Sequence, residues 1–269
     1  MDYKMLVLDL DGTLTNSKKE VTEPTRKALI EIQEAGKIVV LASGRPINGV
    51  RPLAKELELT RFGGYMLSFN GARITQCSTG SIIYNRTLPV SVIAPIFDIV
   101  KTYPGADILS YDDTSIFSGL KINQYTELEA SINRMQIIPT EDFVSRLTFP
   151  VNKLLITGDP VQLEAIMKNL QDRFHSLLNI YRSEPFFLEI MPRNIDKAYS
   201  LQKLLNSLGL TADSMICCGD GYNDISMIEY AGLGVAMKNA QPIVKDSANF
   251  ITKSNDEDGI LHVINTFMR

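Results

Sequence analysis

Residues 4–13 read KMLVLDLDGT, an apolar run with an acid set into it at Asp9 and closed by Asp11-Gly12. Apolar residues in succession, rather than in alternation, predict a strand over 4–10 that is covered on both faces. Asp-Gly then ends it in a turn. On a strand, residues two apart project to one side, so Asp9 and Asp11 are expected to face one pocket. Two close carboxylates repel, which favours a bound cation or a raised pKa on one of them. Asp9 falls within the buried run and needs a partner there.

Working outward, PTRKALIEIQEA (24–35) predicts a helix, with Pro24 suited to its first position and Gly36 to its end. KIVVLA (37–42) is a second buried strand, a helix opens at Pro46 and runs to about Leu57, and YMLSF (65–69) is a third strand. After about residue 82 the pattern changes. Pro89, Pro95 and Pro104 punctuate it, with short strand candidates ADILSY, SIFSGL, NKLLIT and FFLEIM and helices near 126–134 and 160–173. The first pattern then resumes with a helix at 197–208, a strand MICCG at 215–219, a helix at 224–231 and the short strands GLGVAM and ANFIT. The expected fold class is α/β: a doubly wound, mostly parallel sheet (a Rossmann-like core) from residues 1–83 and 189–269. It is interrupted by an inserted α+β cap domain, 84–188. Such sheets bind ligands at the carboxyl ends of their strands.

Four polar segments fall at those ends. The first is Asp9-Leu10-Asp11-Gly12-Thr13. The second is Ser43-Gly44-Arg45, just before a helix. A hydroxyl and free N–H groups at a helix N-terminus can hold phosphate, and a plain serine cap or turn is the other reading. The third is Lys197, which opens a helix against its dipole and reads either as a surface lysine or as a ligand group. The fourth is Gly219-Asp220-Gly221-Tyr222-Asn223-Asp224, two carboxylates and an amide in one tight loop. It serves equally as a helix start and as a hard-cation site, since Mg²⁺ takes oxygen ligands.

In this order the four segments resemble the haloacid dehalogenase superfamily of phosphohydrolases. DLDGTL matches its first motif, Ser43 its second, Lys197 its third and GDGYND its fourth. The insertion between the second and third motifs resembles the Cof-type branch, which acts on sugar phosphates and related metabolites. SGRP (43–46), FNGA (69–72) and EIMP (189–192) are further local matches. The resemblance covers essentially the whole chain and implies a Mg²⁺-dependent phosphomonoesterase. In it Asp9 is the nucleophile and Asp11 the general acid, then base. Mg²⁺ is held by Asp9, the Asp11 backbone carbonyl and Asp220, with Asp224 orienting the metal shell. Leu10, Ser43, Gly44, Lys197 and Asn223 bind substrate or phosphate. The third motif departs from the usual pattern, in which glycines commonly flank the lysine: here Asp196 precedes it, and the loop geometry is open.

The rest of the composition narrows the field. A formal net charge of -4 provides no positive field to gather nucleic acid or an anionic membrane. Three cysteines, two adjacent, form neither a disulfide framework nor a C-x-x-C metal pattern, which suits a reduced cytoplasmic compartment. Acids inside the first apolar run argue against a secretion signal, and no stretch is apolar enough to span a bilayer. The expected partner is a small phosphorylated metabolite, and the oligomeric state is unreadable. A phosphomutase and a non-catalytic phospho-ligand sensor are the alternatives. A receiver domain phosphorylated on aspartate would need only about one small domain and no insertion.

Overall fold

The computed structural model describes residues 2–269. They divide into two compact units: the chain up to Tyr84 joined with Asp196–Arg269, and Asn85–Ile195. The strands, in chain order, are β1 Met5–Leu8, β2 Ile38–Ala42, β3 Tyr65–Ser68, β4 Arg73–Gln76, β5 Ile82–Asn85, β6 Asp107–Tyr111, β7 Ser115–Ser118, β8 Gln136–Pro139, β9 Leu154–Thr157, β10 Leu178–Glu184, β11 Phe187–Pro192, β12 Met215–Gly219, β13 Leu233–Ala236 and β14 Phe250–Ile251.

The first unit holds a sheet in the order β14-β13-β12-β1-β2-β3-β4-β5, parallel from β14 to β3, with β4 antiparallel to β3. Its central strands explain the unbroken apolar runs. Leu6, Leu8, Val39, Leu41 and Cys218 pack on one face against Leu29 and Ile32 of the helix Glu23–Glu34 and Val263 and Ile264 of the helix Gly259–Phe267. Met5, Val7, Val40, Ala42 and Cys217 pack on the other face against Leu201, Leu204 and Leu205 of the helix Lys197–Leu208. Each buried aliphatic side chain contributes about 1.5–3 kcal/mol relative to exposure.

One detail of the first strand differs from expectation. Pairing ends at Leu8, so Asp9 and Asp11 belong to the loop beyond it. The Asp9 N–H still reaches Cys218 O, but its carbonyl accepts from Leu14 N, and the Leu10 carbonyl accepts from Thr13 N and Thr15 N. The chain curls back on itself through Gly12, at φ +82. The alternation that was to put both acids on one side therefore does not apply to them.

The second unit carries a mixed sheet, order β10-β11-β9-β6-β7-β8. The helices Val90–Val100 and Pro160–Phe174 cover one face, with Val92, Ile96, Ile166 and Leu170 on Ile108, Leu154, Ile156 and Leu188. Val90–Val100 was not anticipated, because Pro95 lies inside it. A proline removes one helical hydrogen bond, and the buried Ile93, Ile96 and Val100 hold the helix regardless. Asp107 is fully buried in this unit. It accepts from the Ser118 and Thr126 hydroxyls and from the backbone N–H groups of Ile108 and Leu120.

Candidate active site at the carboxyl ends of the strands

Asp9 leaves β1, Ser43 leaves β2 and Asp220 leaves β12, three neighbouring parallel strands in the order β12-β1-β2. Lys197 opens its helix on the face of the sheet packed by Leu201. Its N-cap, Asp196, accepts from Tyr199 N at 2.8 Å. The acid beside the lysine thus serves to start the helix.

Lys197 is fully buried, which removes its reading as a surface lysine. Its Nζ donates to Asp9 Oδ1 at 2.7 Å, Asp224 Oδ1 at 2.6 Å and the Ala42 carbonyl at 3.0 Å. An ammonium has three N–H donors, and all three are engaged. Asp224, also fully buried, turns its Oδ2 back to the N–H groups of Asp220 and Gly221, both at 3.0 Å. Asp220 Oδ1 accepts from the Thr13 hydroxyl at 3.0 Å. Carboxylate oxygens of Asp9, Asp220 and Asp224 lie within 4.8 Å of one another.

One ammonium therefore serves two buried carboxylates with a third close by, and the surplus negative charge has a cost. Burial, then the Asp224 charge, raise the Asp9 pKa to about 8 against the pull of Lys197. Burial and Asp224 likewise raise Asp220 to about 6. Burial opposes the charge of Lys197, but Asp224 and Asp9 outweigh it and hold the ammonium protonated above its ordinary range.

This donor set suits a hard divalent cation. Asp9 Oδ2 and Asp220 Oδ2 accept no hydrogen bond among the described residues, while both oxygens of Asp224 are engaged. Asp9 and Asp220 are then the side chains able to ligate directly, and Asp224 acts through its neighbours. Gly12 makes the approach feasible: a Cβ there would stand 2.4 Å from Asp220 Oδ2.

The remaining expected residues fall into place differently. The Asp11 side chain lies outside the acidic cluster. It takes a bidentate contact from Arg45, Nε to Oδ2 at 2.8 Å and Nη2 to Oδ1 at 2.6 Å, and a further one from Lys19 at 2.8 Å. Burial would raise its pKa, but Arg45 and then Lys19 prevail and hold it below the usual carboxylate range. The Leu10 side chain is buried in the apolar core and its carbonyl is engaged, so only its backbone N–H is left to meet a phosphate. Ser43 is buried. Its Oγ accepts from Arg45 N at 3.1 Å and keeps its own proton to donate. The helix Ile47–Glu56 that follows has no side-chain cap. Asn223 is exposed and donates to Asn70 Oδ1 at 3.0 Å. Asn70 side-chain atoms would in turn lie 3.1 Å from a Cβ on Gly44.

Sequence reasoning left Arg45, Asn70, Thr13 and Lys19 without roles. Arg45 and Asn70 stood inside the matched stretches SGRP and FNGA. Phe69, Asn70 and Gly71 have φ of 52, 50 and 101, and strain in non-glycine residues of this kind collects at functional sites. Thr13 stood in the first motif, DLDGTL, and Lys19 gave no signal.

Known proteins resemble this chain over nearly its whole length. The family model of haloacid dehalogenase-like hydrolases matches residues 6–264, and the chain belongs to that family. Its fold is that of a crystal structure of a haloacid dehalogenase-like hydrolase from Bacteroides thetaiotaomicron, 46% identical, with a TM-score of 0.95 over 98% of this chain and 99% of that one. TM0651 from Thermotoga maritima is 29% identical, with a TM-score of 0.87 over 98% and 97%. Among curated proteins, the 5-amino-6-(5-phospho-D-ribitylamino)uracil phosphatase YcsE of Bacillus subtilis is 32% identical over 98% of this chain and 95% of its own length. The protein is an enzyme, a phosphoric monoester hydrolase of the haloacid dehalogenase type. Among the described residues no helix is long and apolar enough to cross a membrane.

Proposed function

We propose that this enzyme is a Mg²⁺-dependent phosphatase of small phosphorylated metabolites, sugar phosphates or related compounds, acting through an aspartyl-phosphate on Asp9. The observation that carries the reading is the buried Lys197 bridging Asp9 and Asp224 beside Asp220. An acid raised to about 8 by burial and its neighbours is a carboxylate only when more positive charge is at hand. A divalent cation on Asp9, Asp220 and the Asp11 backbone carbonyl would supply that charge and screen the repulsion between a carboxylate and a phosphate dianion.

Each residue then has a chemical task. Asp9 attacks phosphorus, the bond to the leaving oxygen breaks, and Asp11 gives that oxygen its proton. In the second half Asp11 takes a proton from water, whose oxygen displaces Asp9 and releases inorganic phosphate. Lys197 keeps Asp9 oriented and offsets charge spreading over the equatorial oxygens. Ser43, Gly44, the Leu10 N–H and Asn223 hold phosphate oxygens. Asp224 fixes the loop N–H groups and the lysine.

The inserted residues, 84–188 as read from the sequence, are assigned to substrate choice, because none of these side chains comes from them. YcsE, whose name gives a phosphorylated ribityl compound as substrate, supports the metabolite class. The experiment is phosphate release from a panel of phosphorylated sugars, nucleotides and cofactors, with Mg²⁺ and after chelation. The reading expects turnover that is lost on chelation and restored by Mg²⁺. Full activity after exhaustive chelation contradicts it.

A further inference from the structure

Asp11 is the one member of the proposed machinery that must move a proton twice, and its side chain is tethered by another residue. Arg45 grips both carboxylate oxygens, at 2.8 and 2.6 Å, while its Nη1 donates to the Gly49 carbonyl at 3.4 Å. Its backbone N–H is bonded to Ser43 Oγ, and its carbonyl accepts from Phe69 N. Arg45 thus rises from the Ser43 loop, held twice through its backbone and once through its guanidinium besides the fork, and reaches the loop of the first motif. Lys19 also touches Asp11, but it is 63% exposed. An exposed pair of that kind is worth little, whereas a two-point guanidinium fork fixes both distance and plane. The Arg45 side chain is only 20% exposed.

We infer that Arg45 is a positioning residue: its bidentate contact holds the resting Asp11 carboxylate beside, and out of, the acidic cluster, in the place from which one oxygen exchanges its Arg45 contact for the proton it transfers. This rests on the phosphatase reading above. Without the fork, Asp11 would keep only the contact from the exposed Lys19 and could turn toward the cluster, where its charge would add to that of Asp220, which it already affects. A lysine keeps the charge but loses the plane of the fork, so the two substitutions separate orientation from charge.

The test is a double-mutant cycle on the full chain with saturating Mg²⁺, using an alkyl phosphate the enzyme turns over. Arg45→Gln is expected to lower kcat about ten- to hundredfold with little change in KM, as suits a lost charge-assisted contact. Arg45→Lys should recover only part of it. In the Asp11→Asn background the Arg45→Gln change should cost less than about twofold, because nothing remains to position. Thermal melting reports whether Arg45→Gln folds; if it does not, Arg45→Lys serves in the same cycle. Additive losses in both backgrounds, or a loss confined to KM, overturn the inference and make Arg45 a substrate contact, with the phosphatase reading intact. Absence of Mg²⁺-dependent turnover in the unmodified enzyme overturns both together.

Discussion

Lys197→Met is expected to destabilise the protein as well as inactivate it. As a surface lysine, one of its two readings from the sequence, Lys197 would add little to a core and its replacement would leave folding nearly untouched. The structure reverses that. The ammonium is fully buried, 2.7 Å from Asp9 and 2.6 Å from Asp224, and its loss leaves two buried acids and a carbonyl without their donor. An exposed pair would cost about 0–1 kcal/mol. Removing one partner of a buried pair costs about 3–5 kcal/mol. For a protein of this size that corresponds to a Tm lower by roughly 6–20 °C. Asp9 offers a partial escape, because it can take up a proton. The loss should therefore be larger at pH 8 than at pH 5. The assay is urea unfolding of the metal-free wild type and variant at both pH values, with kcat/KM measured beside it and expected to fall by about 10²-fold or more. An unchanged midpoint and slope at pH 8 would refute the argument that this lysine neutralises the buried acids.

The metal-free wild type should gain stability as pH falls from about 8. Asp9 and Asp220 bind protons more tightly folded, at about 8 and about 6, than at their ordinary 3.8. Their contribution is complete below 3.8 and is lost as pH rises through the folded values. A urea midpoint that rises from pH 5 to 8 contradicts this. Gly12→Ala places a Cβ 2.4 Å from Asp220 Oδ2 at a φ of +82, so it should weaken Mg²⁺ activation by displacing Asp220. Titration of activity against Mg²⁺ checks it, and an unchanged half-saturation would count against Asp220 as a ligand. Asp107→Ala takes the acceptor from the Ser118 hydroxyl and from the N–H groups of Ile108 and Leu120, while Thr126 keeps Thr157; an unsatisfied group costs about 1–3 kcal/mol, so the variant should lower the melting temperature of the Asn85–Ile195 unit. Calorimetry resolves this, and a variant as stable as wild type would show that the network carries no load.

The sheet was legible because its strands are buried on both faces, so their apolar residues follow one another without a polar partner. The α+β character of the insertion was legible from its short strands and scattered prolines. The helix Val90–Val100 was hidden by Pro95, since local propensity opposes what packing enforces. In the site, the acids and the lysine announced themselves by type and by their place at strand ends. Their partners did not. That Asp11 faces Arg45 instead of Asp9 depends on the chain curling at Gly12. That Lys197 is buried depends on how its helix meets the sheet. Neither follows from neighbours in sequence.

The central claim is that phosphate passes through Asp9. Asp11→Asn removes the base of the second half-reaction, while a nitrophenyl phosphate needs little proton donation in the first. The acid–base step is worth typically 10²–10⁴-fold, so this variant should accumulate the covalent species. Rapid quenching followed by peptide mass spectrometry should find the added phosphate on the peptide containing Asp9, and Asp9→Asn should form none. Phosphate on Ser43 or another residue, or steady turnover by Asp9→Asn, would contradict the account.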